Sequence, residues 1–491
     1  MSCLAFPAAS EIASGVLRCP LAALLVAVSL PACQPEATRR GATVLFASGA
    51  DLQSINPLLT QHPLARQVQR YVLLTTLARY DRALAPQPYL AREWTWSEDR
   101  RRLSFTLQRD VRWHDGVPTT ARDVEWTLAS ARDPATGYPR LSDLTSLETV
   151  SAPDDSTVVL RFARPQERFP DVLTDLAILP AHLLDTVPAA RLRQAAWNER
   201  PVGNGPFRFV AHEPNRRWVF AADSGFPPAL GGPPRLDRLI VVVVDEPTTK
   251  LAALTSGELD FAGIQPAHAS FVRQDPALEV RTFPLLLTYG IVLNTRRPPF
   301  DDLAARRVVS AVIDREEIVQ GYLYGFGTPA TGPVPPGVPG YLPVAQTEPA
   351  PAVSAAGGTR RFELLTVGSG EAALEQMVQA RLAIAGFEVT IRQLELSAYL
   401  ARVYGPERDF DAAVLGVAGD IGLGYLTSLA EAAGLEAPAD PAEAQRLFAD
   451  SVPVAFLYHA GGLQGANRRV QGVEMDLRGE LPSVQGWWVT P

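Results

Sequence analysis

The sequence predicts an α/β fold, and three observations near the middle of the chain lead to this prediction. Leu239–Val244 is an unbroken run of branched apolar residues with no polar face, which is typical of a strand covered on both sides. A helix is predicted over Lys250–Thr255, and Gly257 fits the left-handed stop of that helix. Glu258–Phe261 is then extended again. Strand, helix, glycine and strand in this order make a βαβ unit, the building block of an open α/β lobe.

The elements on either side fit the same fold class. A hairpin is predicted at Phe207–Val210 and Trp218–Ala222, because the turn-forming residues Glu213-Pro214-Asn215 separate these two short runs. The other main predicted strands are Thr43–Ala47, Leu103–Leu107, Leu285–Leu293, Phe362–Val367, Phe387–Ile391, Asp409–Val414 and Val452–Leu457. The other main predicted helices are Arg66–Leu77, Arg306–Ile313, Leu374–Ile384 and Ala437–Phe448.

Length and composition indicate a globular chain of several domains. The 491 residues suggest roughly three domains of ordinary size. A hydrophobic content of 47% with 20% charged residues allows the chain to bury a large core. The formal net charge is −8 and the sequence has no basic run, which argues against a nucleic-acid partner.

The N-terminal segment has the features of an export signal. Leu21–Leu30 is apolar but too short to span a bilayer, and its length suits the core of a signal peptide. Leu30-Pro31-Ala32-Cys33 resembles a bacterial lipobox. We therefore expect residues 1–32 to be a signal peptide and Cys33 to be lipidated. The alternative is an ordinary cleaved signal that happens to contain Cys33.

Three further segments carry a family resemblance. PVGNGPFRFV, GGPPRLDRLIVVVV and LTSGELDFA follow one another between residues 201 and 262. Residues 84–126 contain PQPYLA, EW, LSFTL and RWHDG, and residues 288–336 contain PPFDD and a proline-rich loop. In their residues, order and spacing, these segments resemble the family 5 extracellular solute-binding proteins, the peptide-binding type that serves ABC importers.

The resemblance implies a two-lobed α/β fold of the periplasmic-binding-protein type, with an additional inserted domain and a trimmed second lobe. We expect trimming because the chain after Asp420 is shorter than in the family. In a separate departure from the family, residues 344–358 suggest a flexible linker in place of a short helix. The expected domains are a first lobe at 43–77, 200–292 and 468–491, an inserted domain at 78–199, and a second lobe at 293–467.

The resemblance also implies a function. A short peptide or similar solute would lie between the lobes, which close on it about a hinge and deliver it to the permease subunits of an ABC importer. The protein would perform no chemistry and hold no cofactor or metal. It would be anchored to a membrane through lipid, in the periplasm or at the cell surface.

Candidate ligand-binding residues follow from the same resemblance. Asp420 falls where peptide binders of the family hold an acidic residue that meets the amino terminus of the peptide, and a carboxylate suits an ammonium there. The alternative is a helix cap or a solvated acid in a loop. Val417 stands where family members often carry tryptophan, so ligand choice is expected to differ. The remaining candidates are Gln61, His62, Tyr138, Tyr289 and Asn294.

Other classes of function were weighed against this one. The sequence contains no GxSxG, P-loop, GxGxxG, HExxH or CxxC motif, and its six histidines are scattered without metal-ligand spacing. His114-Asp115 is interpreted as part of a structural turn, and Gly203-Asn204-Gly205 precedes a strand instead of a phosphate-binding helix. A glycan, an opine or nickel remains an alternative ligand, because the fold does not fix the ligand. A lipoprotein that interacts within the envelope and no longer transports is a further alternative.

Overall fold

The computed structural model describes residues 42–60, 62–343, 360–368, 370–436, 438 and 440–490. Its strands are β1 (Thr43–Ser48), β2 (Ala78–Tyr80), β3 (Pro86–Pro88), β4 (Ala91–Trp96), β5 (Arg102–Leu107), β6 (Leu147–Asp154), β7 (Thr157–Phe162), β8 (Phe207–Glu213), β9 (Arg217–Ala222), β10 (Arg238–Val243), β11 (Phe261–Gly263), β12 (Leu278–Leu293), β13 (Gly327–Pro329), β14 (Arg360–Val367), β15 (Phe387–Leu394), β16 (Ala412–Ala418), β17 (Val454–Asn467), β18 (Val470–Gln471) and β19 (Trp488–Val489).

Its α-helices are α1 (Pro63–Val68), α2 (Ala121–Arg132), α3 (Val172–Asp175), α4 (Ala181–Leu184), α5 (Pro247–Thr255), α6 (Ala269–Gln274), α7 (Leu303–Val312), α8 (Arg315–Glu317), α9 (Ala373–Ile384), α10 (Leu396–Tyr404), α11 (Tyr425–Ala432) and α12 (Pro441–Ser451). Short π-helical turns continue α1 over Gln69–Leu73 and α8 over Ile318–Tyr322.

One large mixed sheet organises the fold. Within the described ranges it has eleven strands, ten of them in the order β15-β14-β16-β12-β17-β11-β1-β10-β9-β8, while β13 pairs with β17. β1 runs parallel to β10 and β11, and β14 runs parallel to β15 and β16, whereas β8, β9, β12 and β17 pair antiparallel. A separate antiparallel sheet, β4-β5-β7-β6, lies within the predicted inserted domain.

β12 and β17 are long neighbouring strands near the middle of the large sheet, and we call them the crossing strands. Leu278–Pro284 pairs with Gly461–Asn467, and Thr288–Val292 pairs with Val454–His459. The register shifts between Pro284 and Thr288, so the two paired stretches are separate. The crossing strands therefore join the β1 side of the sheet to the β14 side, where a hinge between lobes is expected.

The Gly203–Gly205 segment is a packing junction. Gly205 N donates to Leu73 O at 2.8 Å, and a side chain at Gly205 would meet the backbone of residues 72–74 at 2.5 to 2.7 Å. Asn204 is buried, and its Oδ1 accepts from Thr75 N at 2.9 Å. His114 lies against the same loop, because its Nε2 is 2.9 Å from Gly205 O. These contacts give His114 and the Gly203-Asn204-Gly205 segment a structural role.

Most of the predicted elements are present, with shifted ends. The hairpin β8–β9, the strand β10 and the helix α5 lie where the sequence predicts them. The helix predicted at Ala437–Phe448 instead begins at Pro441, because the Asp440 carboxylate accepts from Ala442 N and Glu443 N and so fixes its start. α10 and α11 were not predicted. The predicted linker, residues 344–358, lies outside the described residues, and the domain bounds and the trimming stay predictions.

Candidate functional site

A cavity of about 600 Å³ lies beside the crossing strands, and we call it the aromatic cavity. Its walls come from the loop after β11, from β12, from the segment between α8 and β13, from β17 and from the segment after β18. Its aromatic and polar lining residues are Gln265, Phe283, Tyr289, Tyr322, Tyr324, Phe326, Tyr458, Gln464 and Glu480. By the predicted domain bounds, both lobes contribute to this cavity.

Stacked and exposed tyrosines line several walls of the aromatic cavity. Tyr289 on β12 and Tyr458 on β17 are register partners, and their ring centroids lie 4.8 Å apart with the planes inclined by 18°. Burial raises the pKa of both phenols, so they stay neutral at physiological pH. Tyr324 is 60% exposed, and Tyr322 is also exposed. Exposed aromatic side chains beside a cavity are well suited to contact a ligand.

Glu480 and Gln464 form the polar end of the aromatic cavity. Gln464 Nε2 donates to Glu480 Oε1 at 2.6 Å, while Gln464 Oε1 is buried and has no hydrogen-bond partner. The backbone N–H groups of Glu480 and Leu481 donate to Gln67 Oε1 at 2.6 and 3.0 Å, which fixes this segment against α1. Burial raises the pKa of Glu480, and the hydrogen bond from Gln464 opposes that rise only in part.

A second cavity, of about 580 Å³, lies between the predicted inserted domain and the predicted second lobe, and we call it the acidic cavity. Among the described residues its lining includes three arginines and five acids, namely Arg140, Arg164, Arg168, Asp143, Glu167, Asp171, Asp420 and Asp440. The acids therefore outnumber the arginines, and the excess negative charge favours a cationic group.

Arg140 is occupied by a network of carboxylates. Its guanidinium donates to Asp143 at 2.6 Å, to Asp175 at 2.7 Å and to Asp171 at 3.1 Å. Arg66 and Arg70 also donate to Asp175. Burial alone would raise the pKa of Asp175, but these three guanidinium groups hold it well below its usual range. Because its donors are engaged by protein carboxylates, Arg140 is poorly placed to recognise the carboxylate of a ligand.

Asp420 lies in the wall of the acidic cavity, where the backbone holds its carboxylate. Oδ1 accepts from Gly424 N and Oδ2 accepts from Tyr425 N, both at 3.2 Å, so the side chain caps the start of α11. Burial, and after it the charge of Asp171, raises the pKa of Asp420. A cationic group beside this carboxylate would stabilise its charged form. The position thus combines a capping role with the means to bind an ammonium.

A row of small residues connects Asp420 with the aromatic cavity. Gly416 and Ala418 on β16 are exposed and pair with Tyr289 and Leu287 on β12, which line that cavity. The Tyr289 ring covers Gly416, since a Cβ built there would lie 3.0 Å from the ring. Asp420 follows Ala418 by two residues. An extended chain of a few residues could therefore reach from Asp420 towards the aromatic cavity.

The other predicted site residues have different surroundings. His62 caps α1, because its Nδ1 accepts from Ala65 N at 3.3 Å, and burial lowers its pKa. Tyr138 is buried beside Arg140 in a small void, and it lines neither of the two cavities. Asn294 is 2% exposed, and its Nδ2 donates to Phe410 O and Arg408 O at 2.8 and 3.0 Å. Val417 is half-buried opposite Thr288.

Only part of the candidate set therefore surrounds the two cavities. Tyr289 lines the aromatic cavity and Asp420 lines the acidic one. The geometry gives His62 and Asn294 structural roles, as a helix cap and as a bridge between backbone carbonyls. Gln61 and Cys33 lie outside the described residues.

Sequence reasoning missed most of the aromatic cavity. Tyr322, Tyr324, Tyr458, Gln464 and Glu480 belong to no motif, and only the fold brings them together. The exposed pair Tyr322 and Tyr324 was the one available signal, since two aromatic residues at alternate positions in a glycine-rich turn are unusual as core.

Two further features are absent from the part of the chain that the structure describes. No group of three or more His, Cys, Asp or Glu side chains is arranged to hold a metal ion. Likewise, none of the described helices is both long enough and apolar enough to cross a membrane.

The known proteins that this chain resembles are solute-binding or peptide-binding proteins. The family model for bacterial extracellular solute-binding proteins, family 5 (middle part), matches residues 85–426. A putative ABC transporter peptide-binding protein of Brucella ovis is 31% identical over 242 residues, which cover 49% of this chain and 45% of that protein. A probable di/tripeptide-binding protein of Pseudomonas aeruginosa is 27% identical over 408 residues, or 76% of this chain and 75% of that protein.

The fold itself matches solved structures. The oligopeptide-binding protein AppA of Bacillus subtilis, in complex with a nonapeptide, superposes with a TM-score of 0.74 at 22% identity. The superposition covers 92% of this chain and 99% of AppA. The predicted α/β fold of the periplasmic-binding-protein type is therefore confirmed.

Proposed function

The chain belongs to the bacterial extracellular solute-binding proteins of family 5, and from this membership we propose that it captures short peptides or similar amine-bearing solutes for an ABC importer. The substrate and the partners are part of the proposal, because the match covers 45% of the Brucella ovis relative. We propose that the protein binds its ligand without transforming it chemically.

The row that runs from Asp420 past Ala418 and Gly416 to Tyr289 is the observation that carries this proposal. It offers a half-buried carboxylate for an ammonium at one end and an aromatic wall at the other. Between them lies the end of β16, where the small residues Gly416 and Ala418 are exposed. A di- or tripeptide has the matching parts, namely an amino terminus, an extended backbone and side chains for the aromatic cavity.

The crossing strands suit the closing motion that this function needs. In hinged binding proteins a few residues absorb the change in backbone angles while the lobes move as rigid bodies. The register shift between Pro284 and Thr288 interrupts the pairing of β12 with β17 where such a change would be concentrated. Leu285 and Leu287, within this interval, line the aromatic cavity, so ligand contact and hinge motion involve the same segment.

We also propose that the protein is anchored to a membrane by lipid on Cys33 and presents its ligand to permease subunits. The lipobox-like Leu30-Pro31-Ala32-Cys33 supports the anchor. Stable anchoring needs more than one acyl chain, as bacterial lipoproteins have. The protein would then act at the outer face of the membrane, in the periplasm or at the cell surface.

Two measurements test the peptide assignment. Mass spectrometry of small molecules that co-purify with the folded protein should find peptides. Calorimetry with di- to tetrapeptides, sugars and nickel–histidine should show binding of peptides only. If a sugar or the nickel complex binds and no peptide does, the ligand class is wrong, although the family and the fold stand.

A further inference from the structure

We propose that the ligand of this protein is basic, with a cationic side chain in the aromatic cavity beside Glu480 and Gln464. This inference rests on the proposed peptide-binding function and adds a substrate class to it. Three independent properties of the aromatic cavity lead to it: its charge, an unused hydrogen-bond acceptor and the faces of its tyrosines.

The charge of the aromatic cavity has one sign. Glu480 is its charged lining residue, and none of the lining residues that the structure describes is Lys, Arg or His. In the acidic cavity the acids outnumber the arginines, and Arg140 is already bound by Asp143, Asp171 and Asp175. At the two ends of the path, beside Asp420 and beside Glu480, an acidic side chain of a ligand would meet a carboxylate, whereas a basic one would be attracted.

The polar end of the aromatic cavity is incomplete without a donor. Gln464 is 5% exposed and lines the cavity, yet its Oε1 accepts no hydrogen bond. The Gln464 Nε2 donates to Glu480 Oε1, and this bond fixes the orientation of the amide. The Gln464 Oε1 is then the amide atom without a partner. A buried acceptor without a partner is costly. An ammonium or guanidinium has several donors and could reach this oxygen and the Glu480 carboxylate together.

The tyrosines suit the remainder of a basic side chain. A cation over an aromatic face is attracted by the ring quadrupole, and the methylene groups of Lys or Arg pack on such faces. Tyr322 and Tyr324 are exposed at this cavity and can offer such faces, whereas Tyr289 and Tyr458 stack on each other beside them. Burial also raises the pKa of Glu480, and a ligand cation beside this carboxyl group would favour its charged form.

Calorimetry with matched tripeptides tests this inference. The panel places Lys, Met or Glu at each position of an otherwise all-alanine tripeptide, and includes tyramine as a non-peptide amine. We expect at least one Lys peptide to bind at least tenfold more tightly than its Met counterpart, and the Glu peptides to bind most weakly. Glu480→Gln should remove the preference for Lys over Met without weakening the Met peptide. The control is Glu474→Gln, because Glu474 is exposed, pairs with Arg82 and lies outside both cavities.

The outcomes separate the two proposals. Equal binding of Lys and Met peptides by the wild type, or a preference that survives in Glu480→Gln, overturns the inference and leaves peptide binding intact. Binding of tyramine that depends on Glu480, with no peptide bound, supports the cationic site and overturns the peptide function. If none of these compounds binds, both are overturned. The comparison of Lys with Met in the wild type needs no variant and stands even if Glu480→Gln does not fold.

Discussion

Tyr289 and Tyr458 stack against each other across the two crossing strands, with ring centroids 4.8 Å apart. The contact ties the strands together beside the interval where their register shifts. One residue pair thus contributes both to the wall of the aromatic cavity and to the cohesion of the two crossing strands.

Tyr458→Ala should lower the free energy of unfolding by about 3–5 kcal/mol, the usual cost of deleting a buried aromatic ring. Tyr458 is 3% exposed, so removal of its ring would leave an internal void, and that void adds to the loss of stability. Tyr458→Phe keeps the stacked ring and is expected to cost about 1 kcal/mol or less. Denaturant titration of the three proteins is the measurement. Equal losses in both variants would mean that the hydroxyl, not the ring, matters.

Asp420→Asn should weaken peptide affinity at least about tenfold, or roughly 1.4 kcal/mol, because the amide cannot offer a charge to an ammonium. Loss of one capping acceptor should cost little stability. The control is Asp302→Asn, since Asp302 also caps a helix, by accepting from Ala304 N at 2.9 Å, and lies outside both cavities. Calorimetry gives the affinities and thermal melts give the stabilities. Unchanged affinity in Asp420→Asn would leave Asp420 as a helix cap only.

His459 should make stability fall with pH on the acid side of neutrality. Burial lowers the pKa of this histidine from 6.5 to about 4, and its Nδ1 is 2.8 Å from Thr288 Oγ1 on the other crossing strand. A depressed pKa in a base means that stability is fully present above pH 6.5 and is lost as pH falls towards the folded pKa. Between pH 7.5 and pH 4.5 the loss should be about 2–3 kcal/mol.

The measurement for His459 is the free energy of unfolding of wild type and His459→Gln at several pH values in that window. The difference between the two proteins isolates the histidine, because the other titrating groups are shared. Parallel curves would show that His459 titrates near its ordinary value in the folded protein.

Gly205→Ala should destabilise the protein by about 1–3 kcal/mol or more, the range found for overpacked interiors. The added methyl would meet backbone atoms of residues 72–74, which cannot move aside as a flexible side chain would. Gly486→Ala is the matched control, because a Cβ at Gly486 meets nothing within 4 Å. Thermal melts should separate the two variants clearly. Similar melting temperatures would contradict the packing assigned to this loop.

Cys33→Ser should release the protein from membranes. The wild type is expected in the membrane fraction with an acyl mass on Cys33, because Leu30-Pro31-Ala32-Cys33 resembles a lipobox. Cell fractionation and intact-protein mass spectrometry are the measurements. A wild type that fractionates as soluble and carries no acyl group would favour the ordinary signal peptide instead.

The sequence predicted the fold better than the site because the two depend on different kinds of information. The branched run Leu239–Val244 specifies a buried strand by its own composition, and Gly257, with φ of +74°, ends α5 as predicted. Glu480 lies beside Gln464 on β17, in a segment that Gly479, with φ of +120°, bends and that Gln67 on α1 holds in place. Such a long-range arrangement leaves no pattern in the neighbouring residues.

Asn294 shows a second way in which the sequence and the structure differ. Its position in a recognisable segment suggested ligand contact, yet its amide bridges the carbonyls of Arg408 and Phe410 just before β16. A polar residue in a family motif can be required by the backbone around it as readily as by a ligand. Residue type and spacing do not distinguish these two cases, whereas burial and hydrogen bonding do.

The position of β17 in the chain also bears on how the protein is assembled. β17 follows each strand with which it pairs, and it bonds β11 and β12 on one side of the crossing and β12 and β13 on the other. While the chain is being synthesised or exported, the edges of β11, β12 and β13 that pair with β17 stay unpaired until β17 emerges. Folding of both sides should therefore be completed in a single late step. Chaperones that shield unpaired strand edges would act in the interval before that step.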